Sequence, residues 1–312
     1  MTMPHTSVFD PHSPQAQSIV RLFYVDLVIA AAILLLVAGL VVFVAWRFRA
    51  RPGDPEPHQE AGVRWLETLW TAIPSLILIV LLVLTAQTML VVNPPVGGRE
   101  ADVTVVAHQW WWEYRYRDPA AVAANELHMP LGENWLLLIS SADVIHDFWV
   151  PGLGAKMDAI PGHPGFLWIQ PRQAGTFLGT CAEYCGEDHA TMGIRVVVEP
   201  PAEFAAWRQR QARPPVPPAD AAGLRGGQLF AARTCRNCHT IAGTGANGRV
   251  GPDLGHLDER ATLAAGVLPN TPEHLRRWLL DPQHFKPGCH MPDEGLTDAE
   301  ARDLAAYLEA LR

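Results

Sequence analysis

A chain of 312 residues is longer than one ordinary hydrophobic core supports and predicts two or more domains. Its formal net charge of −8 leaves no basic patch fit for nucleic acid, which excludes that class of partner. Mean hydropathy is slightly positive, high for a soluble chain, and the excess is local.

Two runs carry the excess. From Leu22 to Trp46 the single charged residue is Asp26, and from Leu69 to Val92 there is none. As a helix, each run is long enough to cross a hydrocarbon core of about 30 Å. The first run does not suit a signal peptide. It is too long, the segment 1–21 before it carries a single Arg, and it ends in Arg47-Phe-Arg49-Ala-Arg51 rather than a small-residue cleavage site. The loop 47–68 holds Arg47, Arg49, Arg51 and Arg64, so the positive-inside rule puts it in the cytoplasm and both chain ends outside. Residues 22–92 are therefore expected to form a transmembrane helical hairpin, with spans at 22–46 and 69–92.

From 93 to 203 short β-rich runs alternate with turns. Val103–Ala107, Trp135–Ser140, Phe166–Ile169 and Ile194–Val198 predict strands, and the Pro-Gly pairs at 151–152 and 161–162 predict turns. Such a pattern suggests a sandwich or Greek-key barrel. Arg213-Pro-Pro-Val-Pro-Pro218 marks a stiff linker, assigned to 204–220. The remainder, 221–312, reads as helical: Thr271-Pro272-Glu273 starts a helix, Thr297 and Glu300 form a capping box, and Leu304, Leu308 and Leu311 share one face.

Cys181-x3-Cys185-x3-His189-x2-Met192 packs four soft metal ligands into twelve residues. A blue-copper site uses one thiolate; two thiolates can each bridge two coppers in a centre that shares one electron between its metals. Each copper then needs an imidazole, from His189 and from His146 after a predicted strand. Met192 offers a weak thioether and Glu183 its backbone carbonyl. Structural zinc or a plain disulfide are the competing readings of these cysteines. His108, His128 and His163 read as ordinary exposed residues, and Trp111 and Trp112 as candidates for core or rim packing.

Cys235-Arg-Asn-Cys238-His239 is a c-type haem attachment signature, with His239 as iron ligand. Of seven methionines only Met291 lies beyond residue 192, and a thioether suits an electron-transfer haem. His256, His274, His284 and His290 compete for the sixth position. Cys289 is left over and reads as a buried free thiol.

Residues 15–200 resemble subunit II of the haem-copper cytochrome c oxidases. The resemblance rests on the two spans, His108-Gln-Trp110-Trp-Trp112-Glu-Tyr114, Asp143-Val-Ile-His146, Lys156-Met-Asp158-Ala-Ile-Pro161-Gly and the whole Cys181–Met192 loop. It implies a cupredoxin-like Greek-key β-barrel and a dinuclear CuA site built from His146, Cys181, Glu183 (carbonyl), Cys185, His189 and Met192. It also implies a magnesium ion bound by the Glu183 side chain at the interface with subunit I, electron entry at Trp110, and a proton-channel mouth at Glu67. His163 departs from the pattern, since an Arg often follows the Ile-Pro-Gly turn. Lys286-Pro-Gly-Cys-His-Met291-Pro is similar to the Met-ligand loop of class I cytochromes c, and Val250-Gly-Pro252-Asp-Leu254 to the segment whose proline carbonyl orients the proximal histidine. The all-α cytochrome c domain so implied gives the architecture of the bacterial caa-type oxidases. The expected partners are subunit I (haem a and CuB), subunit III, and a cytochrome c or a quinol–cytochrome c reductase complex as donor, in contact with membrane lipid. The expected place is the bacterial inner membrane, with the CuA and haem domains on the periplasmic side. The electron-input subunit of a nitric oxide reductase and a tethered electron shuttle or copper-handling protein are the rival readings.

Overall fold

The computed structural model describes residues 5–56, 58–59, 62–93, 98–118 and 120–312. Parts of three expected segments lie outside that set: residues 1–4 of the N-terminal segment, 57, 60 and 61 of the 47–68 loop, and 94–97 and 119 of the β-region. The chain divides into two units, Gln17–Val92 and the remainder.

The first unit is built on helices α1 (Pro14–Arg47) and α2 (Arg64–Val92), both long and apolar enough to cross a membrane. α1 begins well before the apolar run, because Ser13 Oγ accepts from the Ala16 N–H and so satisfies one of the first free donors of the helix. Pro74 sits inside α2.

The second unit opens with two five-stranded sheets. One has the order β3-β2-β1-β5-β8, from Ala121–Ala124, Trp111–Tyr116, Val103–His108, Trp135–Ser141 and Gly165–Ile169. The other has the order β4-β10-β9-β6-β7, from Glu126–Pro130, Gly193–Glu199, Gly175–Cys181, His146–Trp149 and Met157–Ala159. Strict alternation in β5 and β10 turns Trp135, Leu137 and Ile139 of one sheet and Ile194, Val196 and Val198 of the other into one shared core. This is a cupredoxin-like half-barrel.

Three expectations need correction. The linker assigned to 204–220 begins later, because α3 (Pro201–Gln211) buries Phe204 and Trp207, one turn apart, in the β-domain core. His108 and His128 are not exposed. His108 stacks on Trp111 and pairs with Glu113, while His128 stacks on Trp207 and pairs with Glu199.

The haem-signature region is helical. α4 (Ala221–Ala232) crosses α8 (Asp298–Glu309) at Gly226, where an added Cβ would collide with the Asp303 carbonyl. α5 (Cys235–Cys238), α6 (Pro272–Leu280) and α7 (Pro282–Phe285) complete it, with a small hairpin of β11 (Thr262–Leu263) and β12 (Leu268–Pro269). Its own core gathers Phe230, Leu275, Leu279, Leu304 and Leu308.

Candidate metal and haem sites

β6 and β9 are neighbours in their sheet, with Phe148 opposite Cys181, and so bring His146 to the root of the loop 181–192. That loop folds back on itself. Sγ of Cys181 lies 3.8 Å from Sγ of Cys185, 3.9 Å from Nδ1 of His146 and 3.2 Å from the Glu183 carbonyl oxygen. Sγ of Cys185 lies 3.6 Å from Nδ1 of His189 and 3.8 Å from Sδ of Met192. The expected copper ligands thus form one continuous cluster of donor atoms. Both thiols are unbonded and sit among the other donor atoms rather than on the surface. Zinc fits two thiolates and two imidazoles, but a buried thioether and a carbonyl in the same cluster suit copper better.

Asp143, three residues before His146, orients its ring. Its Oδ1 stands 2.8 Å from Nε2 of His146, so a proton on Nε2 leaves Nδ1, which faces Cys181, free to accept a metal. Burial alone would raise the Asp143 carboxyl. The hydrogen bond from His146 and the backbone N–H groups of Gln109 and Val144 outweigh it and pull the carboxyl down. A hydrogen bond shared with Cys185 drives the Cys181 thiol far below its usual range, and the same contact raises Cys185: the pair gives up a first proton readily.

In the helical domain Cys235, Cys238, His239 and Met291 line one largely apolar cavity, part of it open to solvent. Nδ1 of His239 lies 2.8 Å from the Pro252 carbonyl, which fixes the ring and leaves Nε2 available; burial pushes this imidazole down, keeping it neutral and able to ligate. Two thiols, a neutral oriented imidazole and a thioether around an apolar cavity fit a c-type haem. Among the competing histidines, His290 also lines the cavity, whereas His256 bonds the Arg213 carbonyl, His274 bonds Thr271 and His284 packs on Phe285. Cys289 is half-buried beside Gln283 and the Met291 carbonyl.

The two sites meet at a junction that the sequence does not announce. Trp110 and Trp111 of the β-domain also line the haem cavity. The Trp110 indole donates to the Cys185 carbonyl at 3.0 Å, and its ring lies 5.1 Å from that of His290. Trp111 donates across the junction to the Val250 carbonyl at 3.1 Å. Buried Glu126 accepts from the N–H groups of Ala261 and Thr262, and buried Lys286 donates to the carbonyls of Trp110 and Thr191. Trp112 is wholly buried and packs against His146 and Phe148. Glu67 lies in the first turn of α2, in the other unit, and His163 is exposed.

Three family models match in chain order: the transmembrane domain of cytochrome c oxidase subunit II at 4–87, its periplasmic domain at 121–199, and cytochrome c at 224–312. Cytochrome c oxidase subunit 2 of Alkalihalophilus pseudofirmus is 33% identical over 98% of this chain and 91% of that protein. The chain belongs to the cytochrome c oxidase subunit II family. The Bacillus subtilis protein of the same name is 32% identical over 86% of this subunit and 82% of its own length. A crystal structure of the periplasmic domain of subunit II from Bradyrhizobium japonicum is 33% identical, covering 36% of this subunit and 95% of that chain, with a TM-score of 0.35. This subunit is accordingly a component of a haem-copper oxidoreductase that works with a subunit I. Its two globular domains are of kinds that bind copper and haem c, and its apolar helices match the family's membrane domain.

Proposed function

We propose that this subunit accepts electrons at a haem c and delivers them through a dinuclear copper centre to the haem of subunit I, where oxygen is reduced to water with proton pumping. Cys181, Cys185, His146, His189, Met192 and the Glu183 carbonyl would hold the copper. Cys235 and Cys238 would tether the haem, and His239 and Met291 would ligate its iron. When bound, these groups supply reversible one-electron chemistry that the side chains themselves lack.

The protein's own residues hold, orient and shield. Asp143 and Pro252 fix the two histidines by their second nitrogens, so neither ring must reorganise during turnover. Trp112 and Phe148 wall the copper loop from water. Trp110 stands between the two sites as the point of electron entry. The Glu183 side chain is exposed and free to join a magnesium ion shared with subunit I. Glu67, at a helix start where negative charge is favourable, would collect protons at the cytoplasmic end of a path into subunit I. Subunit III, a soluble cytochrome c or a quinol–cytochrome c reductase as donor, and a bacterial inner membrane complete the proposed setting.

The observation that carries this reading is that the haem cavity opens on Trp110, whose indole bonds the carbonyl of Cys185. The test is electron paramagnetic resonance of the subunit purified from native membrane. One unpaired electron shared between two copper nuclei is expected, and Cys185→Ser should abolish that sharing. A single-copper spectrum, or stoichiometric zinc, would refute it.

A further inference from the structure

The sequence contains two lysines against 22 arginines, and one of the two, Lys286, lies at the junction of the domains. It is 3% exposed, an unusual place for a cation without a carboxylate hydrogen-bonded to it. Its ammonium donates instead to three backbone carbonyls: Trp110 at 2.8 Å, Thr191 at 3.0 Å and Ala264 at 3.5 Å. The first two belong to the β-domain. Trp110 faces the haem cavity, and Thr191 is the neighbour of Met192 in the copper loop. Lys286 itself follows α7 and begins the loop that carries His290 and Met291.

The third acceptor is presented at a cost. Ala264 and Ala265 both adopt left-handed backbone, with φ of 53° and 61°, a conformation that alanine disfavours and that persists only when its surroundings enforce it. Their carbonyls point at the junction: Ala264 toward Lys286, and Ala265 toward the N–H of Gly193, which donates to it at 3.0 Å. A Cβ at Gly193 would stand 2.7 Å from that oxygen, so the approach is as close as glycine permits. A tripodal ammonium can aim three N–H groups from one atom at three carbonyls; the flat fork of an arginine cannot. Burial lowers the Lys286 ammonium to about 8, against the opposing pull of the nearby Asp188 carboxylate.

We propose that Lys286 is a positioning residue for electron transfer: it ties the haem-ligand loop to the backbone of Trp110 and of the copper loop, so that the two redox sites are held in one fixed register. This rests on the electron-transfer reading above. It predicts that loosening Lys286 slows transfer between the sites while leaving each site intact.

The experiment uses the purified assembled oxidase. Haem c is reduced by a light pulse, and its reoxidation is followed together with the copper absorbance. Lys286→Met keeps the length and removes the donors. Its transfer rate should fall about ten-fold or more, the factor that roughly 1.4 kcal/mol of lost docking free energy is worth. Haem potential, haem spectrum and copper resonance should stay as in the parent, and Lys286→Arg, which keeps charge and donors, should recover part of the rate. A parent-like rate in Lys286→Met would overturn the proposal while leaving the electron-transfer reading intact. If the parent enzyme itself passes no electron from haem c to copper, that reading fails instead. Should Lys286→Met lose haem, Lys286→Gln decides on the same terms: slowed transfer with both sites intact supports the proposal, and a parent-like rate overturns it.

Discussion

Glu126 offers the sharpest test of how the two globular domains are joined. Its Oε1 accepts from the N–H of Ala261 at 2.8 Å, the N–H of Thr262 at 3.0 Å and the Thr262 hydroxyl at 3.2 Å, all on the haem-domain side, and the residue is buried. Glu126→Ala removes all three acceptor contacts and leaves two backbone donors without a partner. Hydrogen bonds to an ionised group contribute about 1.5–3 kcal/mol each, but three on one oxygen share it, and the carboxylate regains water on unfolding, so about 3 kcal/mol is expected for the set. For a cooperative unit of this size that corresponds to a fall of roughly 6–12 °C in Tm. Glu126→Gln keeps one oxygen acceptor without the charge and should lose less than half as much. Calorimetry of the haem-loaded and copper-loaded subunit measures both. A shift under about 2 °C for Glu126→Ala, the size of a neutral surface change, would refute the reasoning and mean that water replaces the carboxylate without loss.

Other expectations are more local. Met291→Ala should retain covalent haem through Cys235 and Cys238 while lowering the iron potential and opening the iron to added ligands; an unchanged spectrum would make His290, the other histidine of the cavity wall, the sixth ligand. Glu67→Gln should slow steady-state oxygen consumption by the assembled complex without changing haem-to-copper transfer, and unaffected turnover would leave Glu67 as a helix cap. Burial alone would raise Glu113, but hydrogen bonds from His108 and Arg115 outweigh it and hold the carboxyl at about 2. A depressed carboxyl contributes stability that is complete above its unfolded value and is lost as pH falls toward 2. Urea midpoints between about pH 5 and 3 should therefore drop more steeply in the parent than in Glu113→Gln.

The parts of the subunit that were legible in its sequence are those whose determinants are short in range. A run without charges specifies a span, and four ligands in twelve residues specify a metal loop whatever the rest of the fold does. Cys235, Cys238 and His239 act from a single turn. His146 required one long-range step, and the strand pairing of β6 with β9 supplies it. The junction was not legible, because its pairs lie far apart in the chain, as with Glu126 and Ala261 or Lys286 and Trp110, and because one partner in each is a backbone group with no residue signature. The scarcity of lysine was the one available hint. The late start of the linker had a weak signal too: Phe204 and Trp207, spaced to share one helix face, are large aromatics in a segment that otherwise reads as polar and Pro-rich. His108 and His128 failed for a related reason, since their burial comes from stacking on tryptophans placed by tertiary structure.

The chemistry of the junction also determines how it should respond to salt. A separate cytochrome c that docks by surface charge is steered by long-range fields, and its rate falls steeply as ionic strength rises. Here the contacts joining the domains are of another kind. Lys286 and Glu126 each hydrogen-bond backbone groups of the other domain, and Trp111 with Val250 and Gly193 with Ala265 are neutral pairs. Such buried contacts are poorly screened. Among the described ion pairs, Arg210 with Glu259 bridges α3 and the haem domain, and it is half-exposed and contributes little. Transfer from haem c to copper should then change by less than about two-fold between roughly 0.05 and 0.5 M salt, a range over which the screening length shrinks from above to well below 10 Å. Reduction of haem c by an external donor should weaken over the same range. Pulse reduction and steady-state donor oxidation on one preparation separate the two steps. A ten-fold loss in the internal step would mean that exposed charge pairs, and not Lys286 and Glu126, hold the haem domain in place.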